Sequence, residues 1–214
     1  MTGPEAPPAP GLLDEVLPRY EAREVHQIFV AAPQPEAYRA LEALTLREVS
    51  LFRVLMGLRA LPARLARTRS RRRPADDARP SLLAPDTRLL DWGLRGFTVL
   101  AQRPGSELVI GGPGQPWRLA GGVAAKIGSL AEFRAFDRPG FAKLALSFRF
   151  EEVQGGTRIL TETRVDTTDP LAHRRFAAYW QFIRVGSAAI RRDRLRAIKR
   201  RAERSSAATA APTR

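Results

Sequence analysis

Residues 141–166 read FAKLALSFRFEEVQGGTRILTETRVD, and the fold class follows from them. Two runs rich in β-branched and aromatic residues, Phe141–Glu152 and Thr157–Asp166, flank Gly155-Gly156. That is the chemistry of two antiparallel strands joined by a two-residue turn. With both glycines in the turn, Arg149 stands opposite Glu162, Phe148 opposite Thr163 and Phe150 opposite Thr161. Side chains alternate between faces along a strand. One face then carries Leu144, Leu146, Phe148, Phe150, Ile159, Thr161, Thr163 and Val165. The other carries Ser147, Arg149, Glu151, Arg158, Glu162 and Arg164. Alternation of this kind predicts one buried and one wet face, with Arg149–Glu162 as an exposed cross-strand ion pair.

Working outward, Gly96–Gln102, Glu107–Ile110 and Leu130–Asp137 are further short strand-like runs between Gly and Pro. Glu24–Ala32 is a first strand, stopped by Pro33. Pro35-Glu36 opens a helix whose apolar residues are Ala37, Tyr38, Leu41 and Leu44. A second helix is predicted over 46–65, with Val49, Phe52, Leu55, Met56 and Leu58 on its apolar side and Pro62 ending or kinking it. Asp169 and Pro170 suit the N-cap and first residue of a final helix reaching Arg204. Its stripe runs Phe176, Tyr179, Trp180, Ile183, Ser187, Ile190, Arg194 and Ile198. At 1.5 Å per residue this helix is ~50 Å long, so its first two-thirds are expected on the sheet and the Arg-rich end from Arg191 beyond it.

Composition narrows the chemistry. The 214 residues include no cysteine and 2 His, which removes disulfides, a thiolate nucleophile and zinc-finger ligands. Hydrophobic residues at 44% and charged residues at 27% are those of a folded domain. The net charge is +14, and all but three of its 36 basic residues are arginine. Residues 59–79 carry eight Arg against two Asp, and residues 174–204 ten Arg and one Lys against Asp193 and Glu203. The rest of the chain is close to neutral. Residues 1–18 contain no basic residue, and the longest uncharged stretch, Val25–Pro35, is far shorter than a bilayer span. A soluble cytoplasmic protein is the expectation. One domain over 20–204 is expected, with flexible tails at 1–19 and 205–214 and a basic loop at 67–87.

Strand, two helices, a run of antiparallel strands and one long C-terminal helix form a distinctive order. It resembles the helix-grip fold of the START-like superfamily, which includes the polyketide cyclase/dehydrase and lipid-transport proteins. The residues carrying the resemblance are Glu24–Pro33 leading into a helix at Pro35, and Phe97, Pro104-Gly105 and Glu107–Gly111. Phe136–Gly140, Thr161–Val165 and the aromatic pair Tyr179-Trp180 complete it, over roughly residues 20–200. The resemblance implies an α+β fold in which a curved antiparallel sheet grips the C-terminal helix around a cavity. It also implies a small hydrophobic ligand there, such as a lipid, polyketide or quinone, with no tightly bound cofactor.

The inner face supplies walls for such a cavity: Leu146, Phe148, Phe150 and Val165, with Thr161 and Thr163 as sparse hydroxyls. Tyr179 and Ile183 face them from the helix, and Trp117, in a loop over 111–117, is a candidate lid. The same side chains also suit a closed core, the commoner use of an apolar stripe. The iron-oxygenase branch of the superfamily holds its metal with two histidines and a carboxylate. Its closely spaced helical pair is absent here, so His26 and His173 are expected to bind no metal. Glu162, Asp91 and Glu132 are the acids a cyclase-type enzyme could use, though no nucleophile with a base is visible. Arg69, Arg71, Arg72 and Arg73, beyond the apolar run at Leu51–Leu58, could meet an anionic membrane surface. Nucleic acid is the least favoured partner, since no base-reading motif accompanies the basic residues.

Overall fold

The computed structural model describes residues 10–49, 51, 54, 84–93, 96–118 and 124–210. At the middle of its sheet lies the hairpin of β4 (Ala142–Val153) and β5 (Gly156–Thr167), paired from Ala142–Thr167 to Val153–Gly156. The turn is therefore Gln154-Gly155, and the predicted register is corrected by one pair. Phe148 faces Thr161, and Arg149 faces Leu160. Of the two glycines here, Gly155 has the positive φ (80°) that a side chain would oppose. Gly156 already belongs to β5. Its missing side chain serves a different purpose, because a Cβ there would come within 2.1 Å of the Val30 carbonyl oxygen on the next strand. Since the shift moves each partner by two residues, both faces keep their members. The Arg149–Glu162 pair is lost: Arg149 bonds Glu151 at 3.0 Å, and Glu162 is held by Arg23 and Arg164.

Around this hairpin, β1 (Ala22–Val30) pairs with β5, while β3 (Glu107–Gly114) pairs with β4 and β2 (Thr98–Arg103). The order is β1-β5-β4-β3-β2, antiparallel throughout and not closed. Gly111–Gly114, expected in a loop, continues β3 opposite Ala145–Ala142. Gly111 is required there, because a Cβ would meet the Leu144 carbonyl oxygen at 2.4 Å.

On the inner face, Val30, Ile159, Phe148, Phe150, Leu108 and Ile110 pack against α2 (Gln34–Ala43) and the C-terminal helix. Tyr38 of α2 sets its ring edge-on to Phe150 at 5.2 Å and accepts a hydrogen bond from Gln102 Nε2 at 2.7 Å. After α2 comes a 3-10 turn, Leu46–Glu48, with Thr45 N donating to Glu48 Oε2 at 3.0 Å. Most of the helix predicted over 46–65, and residues 67–83 of the basic loop, lie outside the described residues. Asp91, expected in a turn or at a strand edge, sits in a short helix, α3 (Leu89–Gly93).

The outer face is less wet than its sequence predicts. A short helix, α1 (Leu12–Val16), covers part of it, where a tail over 1–19 is expected. Leu12, Leu13, Val16 and Leu17 pack on Leu100, Val109, Ala145 and Phe133. The Leu12 N–H donates to Glu107 Oε1 at 2.9 Å, and Arg164 Nη1 donates to the Leu17 carbonyl oxygen at 3.1 Å. A carboxylate at the N-terminus and a guanidinium at the C-terminus both complement the helix dipole. Glu107 (3% exposed) and Arg164 (6%) are buried as a result. Phe133 lies on α4 (Leu130–Ala135), a helix where a strand is expected. The Ser129 hydroxyl accepts from Glu132 N at 3.1 Å, an N-cap that outweighs the strand-like composition.

The final helix, α5 (Pro170–Ala210), has 41 residues and is ~60 Å long. It runs through positions expected to be a tail from 205. The gripped half is the second one, opposite to expectation. Leu195, Ala197, Ile198 and Ala202 are buried, whereas Phe182 is 86% exposed. Basic side chains here reach carboxylates of the turn after α2: Arg201 bonds Glu48 at 2.9 Å. A five-stranded antiparallel sheet with a long C-terminal helix on one face is compatible with a helix-grip fold.

Candidate functional site

Where α5 leaves its gripped half, it stands away from β4 and β5 and leaves a half-open cavity of about 260 Å³. The sheet contributes Leu144, Leu146, Thr163 and Val165, and the helix contributes Phe176, Tyr179, Trp180, Ile183 and Ile190. Phe97 and Pro116 complete the apolar wall. These residues meet because the inner-face members of β4 and β5 alternate with outward ones, while the helix places the same face inward every three or four residues.

Of the residues expected to bind a ligand, Leu146, Thr163, Tyr179 and Ile183 line this cavity. Phe148, Phe150 and Thr161 do not. They are almost fully buried where α2 and the second half of α5 close on the sheet. Trp117 is partly buried, packed against a neighbouring cluster formed by Ala142, Val165 and Phe176. Arg69, Arg71, Arg72 and Arg73 lie outside the described residues.

The wall also holds charge that the sequence reading placed elsewhere. Arg191 and Arg194, expected to project beyond the sheet, line the deep end with Thr163 and Ser187. Arg191 is 7% exposed, and its Nε and Nη1 are engaged. It donates through Nε to Thr163 Oγ1 at 3.2 Å, and through Nη1 to Ser187 Oγ at 2.8 Å and to the Glu24 carboxylate. Glu24 in turn bonds His26 Nε2 at 2.8 Å. Burial lowers the Arg191 pKa, and the Glu24 charge works against it.

Arg194 differs. Among the described residues it makes no hydrogen bond or ion pair. Its guanidinium lies 4.8 Å from the Phe148 ring centre, and its Nε is buried without a partner. Burial pushes this group down from 12.5 to about 9, and the nearby Arg191 charge adds to the effect. It therefore keeps its proton at neutral pH, as an uncompensated cation beside an apolar cavity. The period-3.6 stripe does include Arg194, which is the signal the sequence offered.

The acids considered for catalysis stand away from the cavity. Asp91 is exposed on α3, and Glu132 is exposed in the first turn of α4, where it accepts from Gly128 N at 2.9 Å. Glu162 is on the outer face. Burial alone would raise its pKa, but hydrogen bonds and charge from Arg23 and Arg164 hold it below the ordinary carboxylate value. His173 is half-exposed and bonds Glu21 at 2.8 Å, beside an open groove at the start of α5. Among the described residues, no group of three His, Asp or Glu could hold a metal, and no helix is long and apolar enough to cross a membrane.

No known family profile matches the chain, and no curated protein matches it in sequence. Among solved structures it is similar to the crystal structure of TTHA0849 from Thermus thermophilus, at 11% identity and a TM-score of 0.27. The match covers 89% of this chain and 100% of that one. A likeness of this size carries no argument about function.

Proposed function

We propose that this chain is a START-like helix-grip protein that binds a small hydrophobic molecule between its sheet and C-terminal helix. The observation that carries the reading is the cavity itself. Its walls are side chains of two strands and one helix, and its polar groups are few and gathered at one end. Concave apolar sites with a small number of placed polar groups are the usual form of small-molecule sites. A closed core would have left no such space, since protein interiors pack to crystal-like density.

Binding is favoured over cyclase- or dehydratase-type turnover. An enzyme of that kind needs an acid or base within hydrogen-bond reach of the ligand. Glu24 and His26 are the inner-face candidates, but they bond each other and Arg191 and do not line the cavity.

Titration with the neutral dye Nile red tests the reading. The wild-type protein is expected to raise and blue-shift its fluorescence, and Ile183→Trp, which fills the cavity from the helix side, to abolish this with the far-UV spectrum unchanged. Absence of dye binding, or equal binding by the filled variant, would overturn the proposal.

A further inference from the structure

The proposed ligand has so far only an apolar body. The deep end of the cavity supplies its polar end. Two guanidinium groups stand there with different charge balance. Arg191 is neutralised by Glu24 and also donates to Thr163 and Ser187 through Nε and Nη1. Arg194 has no carboxylate and no hydrogen-bond partner among the described residues, and its Nε is buried. Arg194 as a whole is partly buried, and both an unpaired charge drawn out of water and a buried N–H without an acceptor are unfavourable. The cation–π contact with Phe148 at 4.8 Å offsets only part of that cost.

Resting on the ligand-binding reading, we infer that the cavity takes a small amphipathic carboxylic acid, its carboxylate held by Arg194 and its apolar body by Leu146, Val165, Tyr179 and Ile183. One uncompensated cation calls for one negative charge, which favours a carboxylate over a dianionic phosphate. The planar guanidinium also matches a carboxylate through paired N–H donors. The cavity of about 260 Å³ lies at the small end of ligand sites, which sets the body as a short chain or a ring system. Burial also depresses the Arg194 pKa, and an arriving anion relieves that penalty.

The test uses matched acid and carboxamide pairs: octanoic, 4-phenylbutyric and 2-naphthoic acids with their primary amides. Calorimetric titration at neutral pH and moderate salt is expected to show at least one acid binding wild-type protein ~10-fold or more tighter than its amide, the size expected of a charged hydrogen bond. In Arg194→Met that preference disappears, and acid and amide bind with similar affinity. Arg194→Lys keeps the charge but not the fork, and retains part of it. Equal binding of acid and amide by the wild type overturns the inference and leaves the hydrophobic-ligand reading standing. A preference that survives in Arg194→Met overturns the assignment to this residue. If no member of any pair binds and Nile red also fails, both readings fall together.

Discussion

Two arginines one turn apart on the same helix illustrate how little a residue type says before its surroundings are known. Arg191 and Arg194 both lie on the inner side of α5, yet the first completes a buried polar network and the second makes no hydrogen bond or ion pair among the described residues. Their removal should therefore have opposite signs. Arg191→Met leaves Glu24 half-enclosed with only His26, and breaking a buried pair of this kind costs about 3 kcal/mol. Arg194→Met removes an uncompensated charge and puts an apolar chain of similar reach over Phe148, so it raises the melting temperature of ligand-free protein. Thermal denaturation of the two variants beside the wild type measures both. A clear fall for Arg194→Met would mean that the cation is structurally satisfied. At this scale the sequence was only partly legible. Leu146, Thr163, Tyr179 and Ile183 announce themselves by alternation or helical period, because periodicity reports which way a side chain points. It does not report how far along a face the cavity ends, so Phe148, Phe150 and Thr161 share the right face but lie in the closed core.

Elements show a sharper division between what is local and what is not. The strands of the hairpin and the start of α5 at Pro170 are written in nearby residues, and both stand where the sequence places them. By contrast, α1 is five residues long, too short to be stable on local propensity. What holds it is distant in sequence: Glu107 at its N-terminus and Arg164 at its C-terminus, above an apolar floor that includes Phe133. No pattern within residues 1–19 carries that information. The clamp makes a pH prediction. Burial tends to raise Asp14 and Glu162, but hydrogen bonds from Arg164, joined by Gly11 for Asp14 and Arg23 for Glu162, hold both below their ordinary values. A carboxylate with a depressed folded pKa stabilises fully above its unfolded value, and loses that contribution as pH falls through the folded one. Relative to Asp14→Asn/Glu162→Gln, the wild type should be about 1–2 kcal/mol more stable at neutral pH. The gap should hold above the ordinary carboxylate range and close as pH falls below it, through the depressed folded values. Urea midpoints of the two proteins across this range provide the check, and a gap independent of pH would contradict the clamp.

For the molecule as a whole, the net charge of +14 suggests a partner surface before the fold is known, but part of that charge works inside. Within 174–204, Arg191 and Arg194 face the cavity, while Lys199 and Arg201 brace the long helix against Phe29 and Glu48. Charge reads in a sequence as exposure, which places the grip on the first two-thirds of the helix, whereas the buried turns include Leu195, Ala197, Ile198 and Ala202 as well as Ala172 and Phe176. Long basic side chains can bury their stems and still reach a carboxylate at the edge, which is why the second half can be both Arg-rich and buried. The two halves should then differ in stability. Amides whose turns are packed by Leu195, Ala197, Ile198 and Ala202 open only with the whole domain, whereas those around Gln181–Arg184 open locally, since Gln181, Phe182 and Arg184 are exposed. Hydrogen exchange read by mass spectrometry should show protection across residues 190–202 exceeding that across 178–186 by at least ~100-fold, with the first half slowing when a ligand fills the cavity against Tyr179 and Ile183. Uniform protection along the helix would show that both halves are held by the same body, and that the cavity side needs no occupant to be rigid.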